Sequence, residues 1–272
     1  SFLLVHDDII DRAHTRRGGK ALHYALQDEY FGSTQLPTIG VDEAIIFGDI
    51  MCFHGFELVN GANLTEQTKT SLLSIMTRTY EMTAWGQALD IYHTKPKLID
   101  SADRVPLSIS EFKTAYYTIS NPYIMGMILS GNDSVDERKA IESFALPLGI
   151  AFQLRDDLLG VFGKELSIGK SSDSDLVEGK YTMLVQKTAE LLSDRDRTDF
   201  VRIIGTPTER ITEGDVERLR NYIVDSGAKE IVRTHISELT GDAIAHIEKM
   251  NVSSSSKDVL RNIVDLINKV DV

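Results

Sequence analysis

Cysteine is almost absent: Cys52 is the only one in 272 residues. A single thiol allows neither an intrachain disulfide nor a cysteine cage for a metal, and the expected compartment is the reducing cytoplasm. Basic residues are also scarce. Lys and Arg number 29 against 41 Asp and Glu, a net charge of −12. That balance argues against a nucleic-acid partner, because a phosphate backbone needs a basic face. It leaves room for a local basic cluster around a small anionic substrate. No apolar run is long enough to cross a bilayer. The most apolar stretch, 44–56, is broken by Asp49 and His54 and falls well short of the ~20 residues a span requires. Strand-like alternation is nearly missing, and only six prolines, at 37, 96, 106, 122, 147 and 207, interrupt the chain.

Long helical periodicities fill the intervals between the prolines. Apolar residues recur at three- and four-residue steps over 41–59, 64–91, 110–129 and 135–162. Thr65 is a candidate cap for the second of these, and Pro122 and Pro147 are expected to kink their helices rather than end them. Three shorter helices are predicted over 213–224, 228–250 and 257–270. The stretches 167–179 and 251–256 read as polar loops. The pattern predicts an all-α fold in one domain, 1–272, with long core helices first and a peripheral bundle last. Ser1-Phe2-Leu3-Leu4-Val5 has neither cap nor turn and reads as the middle of a helix, so an upstream segment is expected.

Two acidic clusters stand about 150 residues apart. In Asp7-Asp8-Ile9-Ile10-Asp11, helical spacing stacks Asp7 and Asp11 on one face with Asp8 beside them. Like charges at that spacing destabilise a helix unless a cation bridges them, and a few hard carboxylate oxygens suit Mg²⁺ with a phosphate substrate. The apolar flanks, Phe2 to Val5 and Ile9-Ile10, argue against a solvated acidic face. Arg16-Arg17-Gly18-Gly19 follows at once, a turn that offers guanidinium forks to phosphate oxygens. The second cluster is Gln153-Leu154-Arg155-Asp156-Asp157. It is followed by Gly169-Lys170, Asp173, Asp175 and Gly179-Lys180.

Taken in order, the motifs are Asp-Asp-x-x-Asp (Asp7 to Asp11), Arg-Arg-Gly (Arg16 to Gly18) and Gly-Gln-x-x-Asp (Gly86, Gln87, Asp90). Lys-Thr (Lys113, Thr114), Phe-Gln-x-x-Asp-Asp (Phe152 to Asp157) and Gly-Lys complete them. From Ser1 to about Gln186 the chain resembles the trans-isoprenyl diphosphate synthases of the polyprenyl synthetase family. The resemblance implies an isoprenoid-synthase-type helical bundle around a central cavity. It also implies a short-chain prenyltransferase that joins isopentenyl diphosphate to an allylic diphosphate. Asp7 and Asp11 would bridge two Mg²⁺ ions and Asp156 would hold a third, with Asp8 and Asp157 in support. Arg16, Lys113 and Lys170 would grip the allylic diphosphate, with Thr114, Gln153 and Lys180 nearby, and Arg17 would serve isopentenyl diphosphate. A homodimer is implied, and the apolar helices over 41–91 offer it a surface.

Two departures from the family pattern stand out. The family's Gly-Lys-Arg element and a substrate-holding histidine would lie before Ser1. Its second motif often ends in a third aspartate, where this chain has Gly160. Chain length is implied to depend on the turn before Asp7, where Phe2 is aromatic and Leu3 is not. That pattern points to geranylgeranyl diphosphate, with farnesyl diphosphate the alternative. A class I terpene cyclase shares the first motif but should carry a different second one. A non-catalytic subunit of a heteromeric synthase should lose an aspartate cluster, and both are kept here.

Overall fold

The structure, a computed structural model, describes residues 2–95, 99, 104–163 and 173–269. The chain divides into two compact units. The first runs to Leu73. It holds α1 (Phe2–Ile10), a two-residue hairpin of β1 (Thr15–Arg16) with β2 (Gly19–Lys20), α2 (Leu22–Thr34) and α3 (Ile39–Gly61). It also holds the first turns of α4 (Glu66–His93). Thr65 caps α4 as its sequence suggests, its hydroxyl accepting from the Thr68 amide at 3.1 Å. Within this unit α3 is the platform on which both α1 and α2 pack.

The second unit takes the remainder of α4 and the residues from 74 to 163 and from 173 on. Here α5 (Val105–Ile109) runs straight into a π-helix (Ser110–Ser120), which runs into α6 (Asn121–Leu129). Helix α7 (Val135–Phe162) is the central element, about 42 Å long at 1.5 Å per residue. One flank packs on the π-helix and another on a later helix, α12 (Ala228–Lys249). Phe144, Leu148, Ala151, Leu154 and Leu158 along α7 are buried, and each large side chain contributes roughly 1.5–3 kcal/mol of transfer free energy. The remaining elements are α8 (Ser174–Glu178), α9 (Met183–Leu191), α10 (Asp194–Ile204), α11 (Glu213–Asp225) and α13 (Ser254–Asn268). Hydroxyl caps at Ser134, Thr182, Ser193, Thr212 and Ser253 start α7, α9, α10, α11 and α13.

The all-α class stands, and no helix of the described residues is long and apolar enough to cross a membrane. Three local readings change. The predicted loop over 167–179 contains a helix, Ser174–Glu178, while 167–172 lies outside the described residues. The serine linker is not all linker: Ser253 accepts from the Ser256 amide at 3.1 Å, so α13 begins at Ser254. Pro122 neither ends its helix nor stands in an ordinary one. It falls at the start of α6, where the π-helix hands over. The wider π turn accommodates a ring that would crowd the carbonyl four residues back.

Candidate active site

In the first unit, Asp7 and Asp8 occupy the last turn of α1, and Asp8 is buried. Asp11 falls just past the helix end, yet its amide still donates to the Asp7 carbonyl at 2.8 Å. The chain then leaves the helix through Arg12 at φ +50° and turns back at Arg17 (φ +53°) and Gly18 (φ +78°). Two positive φ values in a two-residue loop define the tight turn that matches a hairpin's twist. The turn brings Arg16 back over the acids. Its Nε donates to Asp8 Oδ1 at 2.8 Å and Oδ2 at 3.0 Å, and its Nη2 donates to Asp7 Oδ2 at 3.3 Å and to Asp8 Oδ1. Arg17 sits exposed at the tip. Phe2 meets the His6 ring edge-on with centroids 6.3 Å apart, and His6 Nε2 lies 3.3 Å from the Ile45 carbonyl on α3. Leu3 is half-buried, one turn before Asp7.

The second unit brings together three motifs. Lys113 and Thr114 lie on the π-helix, Asp90 near the end of α4, and Gln153, Asp156 and Asp157 on α7. Lys113 Nζ donates to Asp90 Oδ2 at 2.5 Å. The Thr114 hydroxyl donates to Gln153 Oε1 at 2.5 Å, and Gln153 Nε2 donates to Asp157 Oδ1 at 2.8 Å. This chain of bonds fixes the Gln153 amide, with its oxygen toward the π-helix. Close approach of α4 to the π-helix makes the Lys113–Asp90 pair possible. A methyl group on Gly86 would stand 2.2 Å from the Lys113 backbone nitrogen, so no larger residue fits. One turn before Asp90, the Gln87 Nε2 donor is buried with no hydrogen-bond partner among the described residues.

Asp157 is buried and Asp156 is exposed. Burial raises the Asp157 carboxyl well above the usual carboxylate range, and the charge of Asp175 pushes it further up; the Gln153 hydrogen bond opposes both. Asp175 stands in the sequence reading without an assigned role. It lies on α8, and its Oδ2 would be 2.3 Å from a methyl group on Gly160. A carboxylate from α8 therefore stands where a side chain at the third motif position would begin. Lys180 Nζ lies 3.5 Å from Asp175 Oδ1 and 3.4 Å from Glu178 Oε2. Lys170 lies outside the described residues.

Residues 1–250 match the family described as polyprenyl synthetase, and the chain belongs to that family, the trans-prenyl diphosphate synthases. It is 30% identical over 268 residues to a geranylgeranyl diphosphate synthase of Saccharolobus solfataricus, covering 95% of this chain and 72% of that one. Against a short chain isoprenyl diphosphate synthase of Methanothermobacter thermautotrophicus the identity is 28% over 267 residues, with 98% and 75% covered. The fold matches the crystal structure of a geranylgeranyl pyrophosphate synthase from Corynebacterium glutamicum complexed with isoprenyl diphosphate and magnesium. The TM-score is 0.89 at 29% identity, covering 98% of this chain and 75% of that one.

Proposed function

We propose that this synthase joins isopentenyl diphosphate to an allylic diphosphate head to tail, releases diphosphate and makes geranylgeranyl diphosphate. The observation that carries the reading is the linked set Asp90–Lys113 and Thr114–Gln153–Asp157, in which three separate motifs converge on one patch of the second unit. The similarity to geranylgeranyl diphosphate synthases supports the product.

The donor types suit Mg²⁺, though among the described residues no three acids already stand together as a metal site. The donors are hard carboxylate oxygens, and Asp157 is held in a desolvated position where a nearby cation would offset its burial. Asp7, Asp8 and Asp11 would hold two ions, and Asp156 and Asp157 a third, with Asp175 beside them. When bound, Mg²⁺ withdraws electron density from the leaving diphosphate. Lys113, oriented by Asp90, grips the allylic diphosphate together with Arg16, Lys170 and Lys180, while Arg17 serves isopentenyl diphosphate. The allylic C–O bond breaks and diphosphate leaves. The Gln153 carbonyl oxygen, a fixed negative dipole end, stabilises the allylic cation. The double bond of isopentenyl diphosphate attacks that cation, and the departing diphosphate takes the proton lost from the new chain. Phe2 and Leu3 form the floor that stops elongation.

The same reading makes the chain a cytoplasmic homodimer. Its support is the apolar surface of α3, where Phe53 and Leu58 are 73% and 76% exposed. Sedimentation at micromolar concentration checks the dimer. The decisive assay supplies purified protein with Mg²⁺, isopentenyl diphosphate and geranyl or farnesyl diphosphate, and reads product length. A twenty-carbon product supports the proposal. Metal-dependent turnover that stops at fifteen carbons replaces it with farnesyl diphosphate synthesis, and no turnover without a partner chain replaces it with a non-catalytic subunit.

A further inference from the structure

Helix α8 is a single turn and a half, too short to hold its own position, yet it carries Asp175 and leads into Lys180. Two cations distant in sequence grip its ends. At its start, Arg220 of α11 pairs with Asp173, the residue before the helix, and its Nε donates to the Val161 carbonyl at 3.2 Å near the end of α7. One guanidinium therefore ties the end of the helix bearing Asp157 to the start of the helix bearing Asp175. At the other end, the Lys95 amide donates to the Gly179 carbonyl at 2.7 Å, and its Nζ donates to the carbonyls of Val177 at 3.2 Å and Thr206 at 2.5 Å. Lys95 does this from a left-handed backbone, φ +55°, which is costly for a residue with a Cβ. Gly179, itself at φ +69°, admits the contact: a methyl there would be 2.8 Å from Lys95 Cγ.

Neither cation belongs to a motif. We infer that Lys95 and Arg220 are positioning residues that hold α8 so that the Asp175 carboxylate sits over Gly160 beside Asp157. The backbone strain at Lys95 is maintained because both ends of α8 must be fixed for a carboxylate on a separate helix to fill the place left by Gly160. The α11 region, which follows the last recognisable motif, thereby joins the machinery of the site.

This inference rests on the proposed function, and its test separates the two. Binding of magnesium pyrophosphate is measured by titration calorimetry without turnover on the wild-type chain and on Arg220→Met, Arg220→Lys, Asp173→Asn, Lys95→Met and Asp175→Asn, with the melting temperature of each. Arg220→Met and Lys95→Met are expected to weaken binding about tenfold or more, approaching Asp175→Asn, with Arg220→Lys recovering part of the loss. Arg220→Met combined with Asp173→Asn should be no weaker than Arg220→Met alone, because Arg220→Met already removes the contact with Asp173. If Arg220→Met does not fold, Asp173→Asn and Arg220→Lys decide the matter by the same criterion. Wild-type binding with the variants within twofold of it, even at a lowered melting temperature, overturns the positioning role alone. A wild-type chain that binds no magnesium pyrophosphate overturns the site reading and this inference together.

Discussion

Lys113 Nζ donates to Asp90 Oδ2 at 2.5 Å, joining residues 23 positions apart on two different helices. Both side chains are largely shielded from water, at 16% and 10% exposure, so the pair is worth more than a surface ion pair. Its consequence is directional: Asp90 fixes where a flexible lysine can present its charge. Asp90→Asn should lower kcat/KM for the allylic substrate by roughly 10–100-fold, the usual cost of losing a supporting contact, and should also lower the melting temperature, because it removes the carboxylate that pairs with the shielded Lys113 charge. Steady-state kinetics over a range of allylic substrate concentrations measure it.

Asp7→Ala and Asp156→Ala should each cost about 3 kcal/mol or more of transition-state stabilisation. Circular dichroism should still show a folded helical protein, because Asp156 is exposed and removal of Asp7 leaves Arg16 its bonds to Asp8. Near-normal turnover in either variant would dismiss the metal-cluster mechanism.

Asp157 gives a prediction in pH. Its folded pKa is raised above the unfolded value of about 3.9. The folded state therefore holds the proton more tightly. The unfavourable contribution of the carboxylate is absent below about pH 4 and grows as the pH rises towards the folded pKa. In chelator, Asp157→Asn should raise the melting temperature at pH 7 by on the order of 2–4 °C, and the gain should vanish near pH 4. Thermal melts of both proteins across that window test it. A gain independent of pH would mean that the carboxylate is not the cause.

Gly86→Ala forces a methyl group against the Lys113 backbone. Backbone cannot rotate away as a side chain can, so overpacking should destabilise the fold by roughly 1–3 kcal/mol and displace Lys113 from Asp90. Denaturant titration and the allylic-substrate KM should shift together.

Phe2→Ala should move the product distribution to longer chains by removing volume from the turn before Asp7. The variant also loses the edge contact with His6, so His6→Ala is the control. Product analysis in which Phe2→Ala leaves chain length unchanged would remove Phe2 from the floor.

The long helices were legible because burial on one face writes a period of three to four residues, as in α3, α4 and α7. The hydroxyl caps at Thr65 and Ser253 act through local bonds, yet only Thr65 was read as one, because the serines beyond Ser253 also suit a linker. The π-helix left no such trace: it packs against Gly86 and α7, contacts that the local pattern of 110–120 does not record. Helix α2 was missed because the apolar residues of Leu22 to Thr34 do not gather on one face. The motif aspartates, lysines and Gln153 were readable as a set, since the chemistry restricts residue type. Asp175 was in view but had no assigned place, because helical spacing relates residues three or four apart and not two segments meeting across Gly160.

Arg16 gives the first aspartate cluster a built-in counterion. On the proposed reading, a bare magnesium ion arriving at Asp7 and Asp8 would compete with a guanidinium already tethered by a two-residue turn. A magnesium–diphosphate complex carries its own acceptor oxygens for the displaced guanidinium, so the exchange keeps every charge matched. On the proposed reading that asymmetry sets a binding order: metal and diphosphate would enter as one unit, and the free protein would hold little magnesium at Asp7 and Asp8.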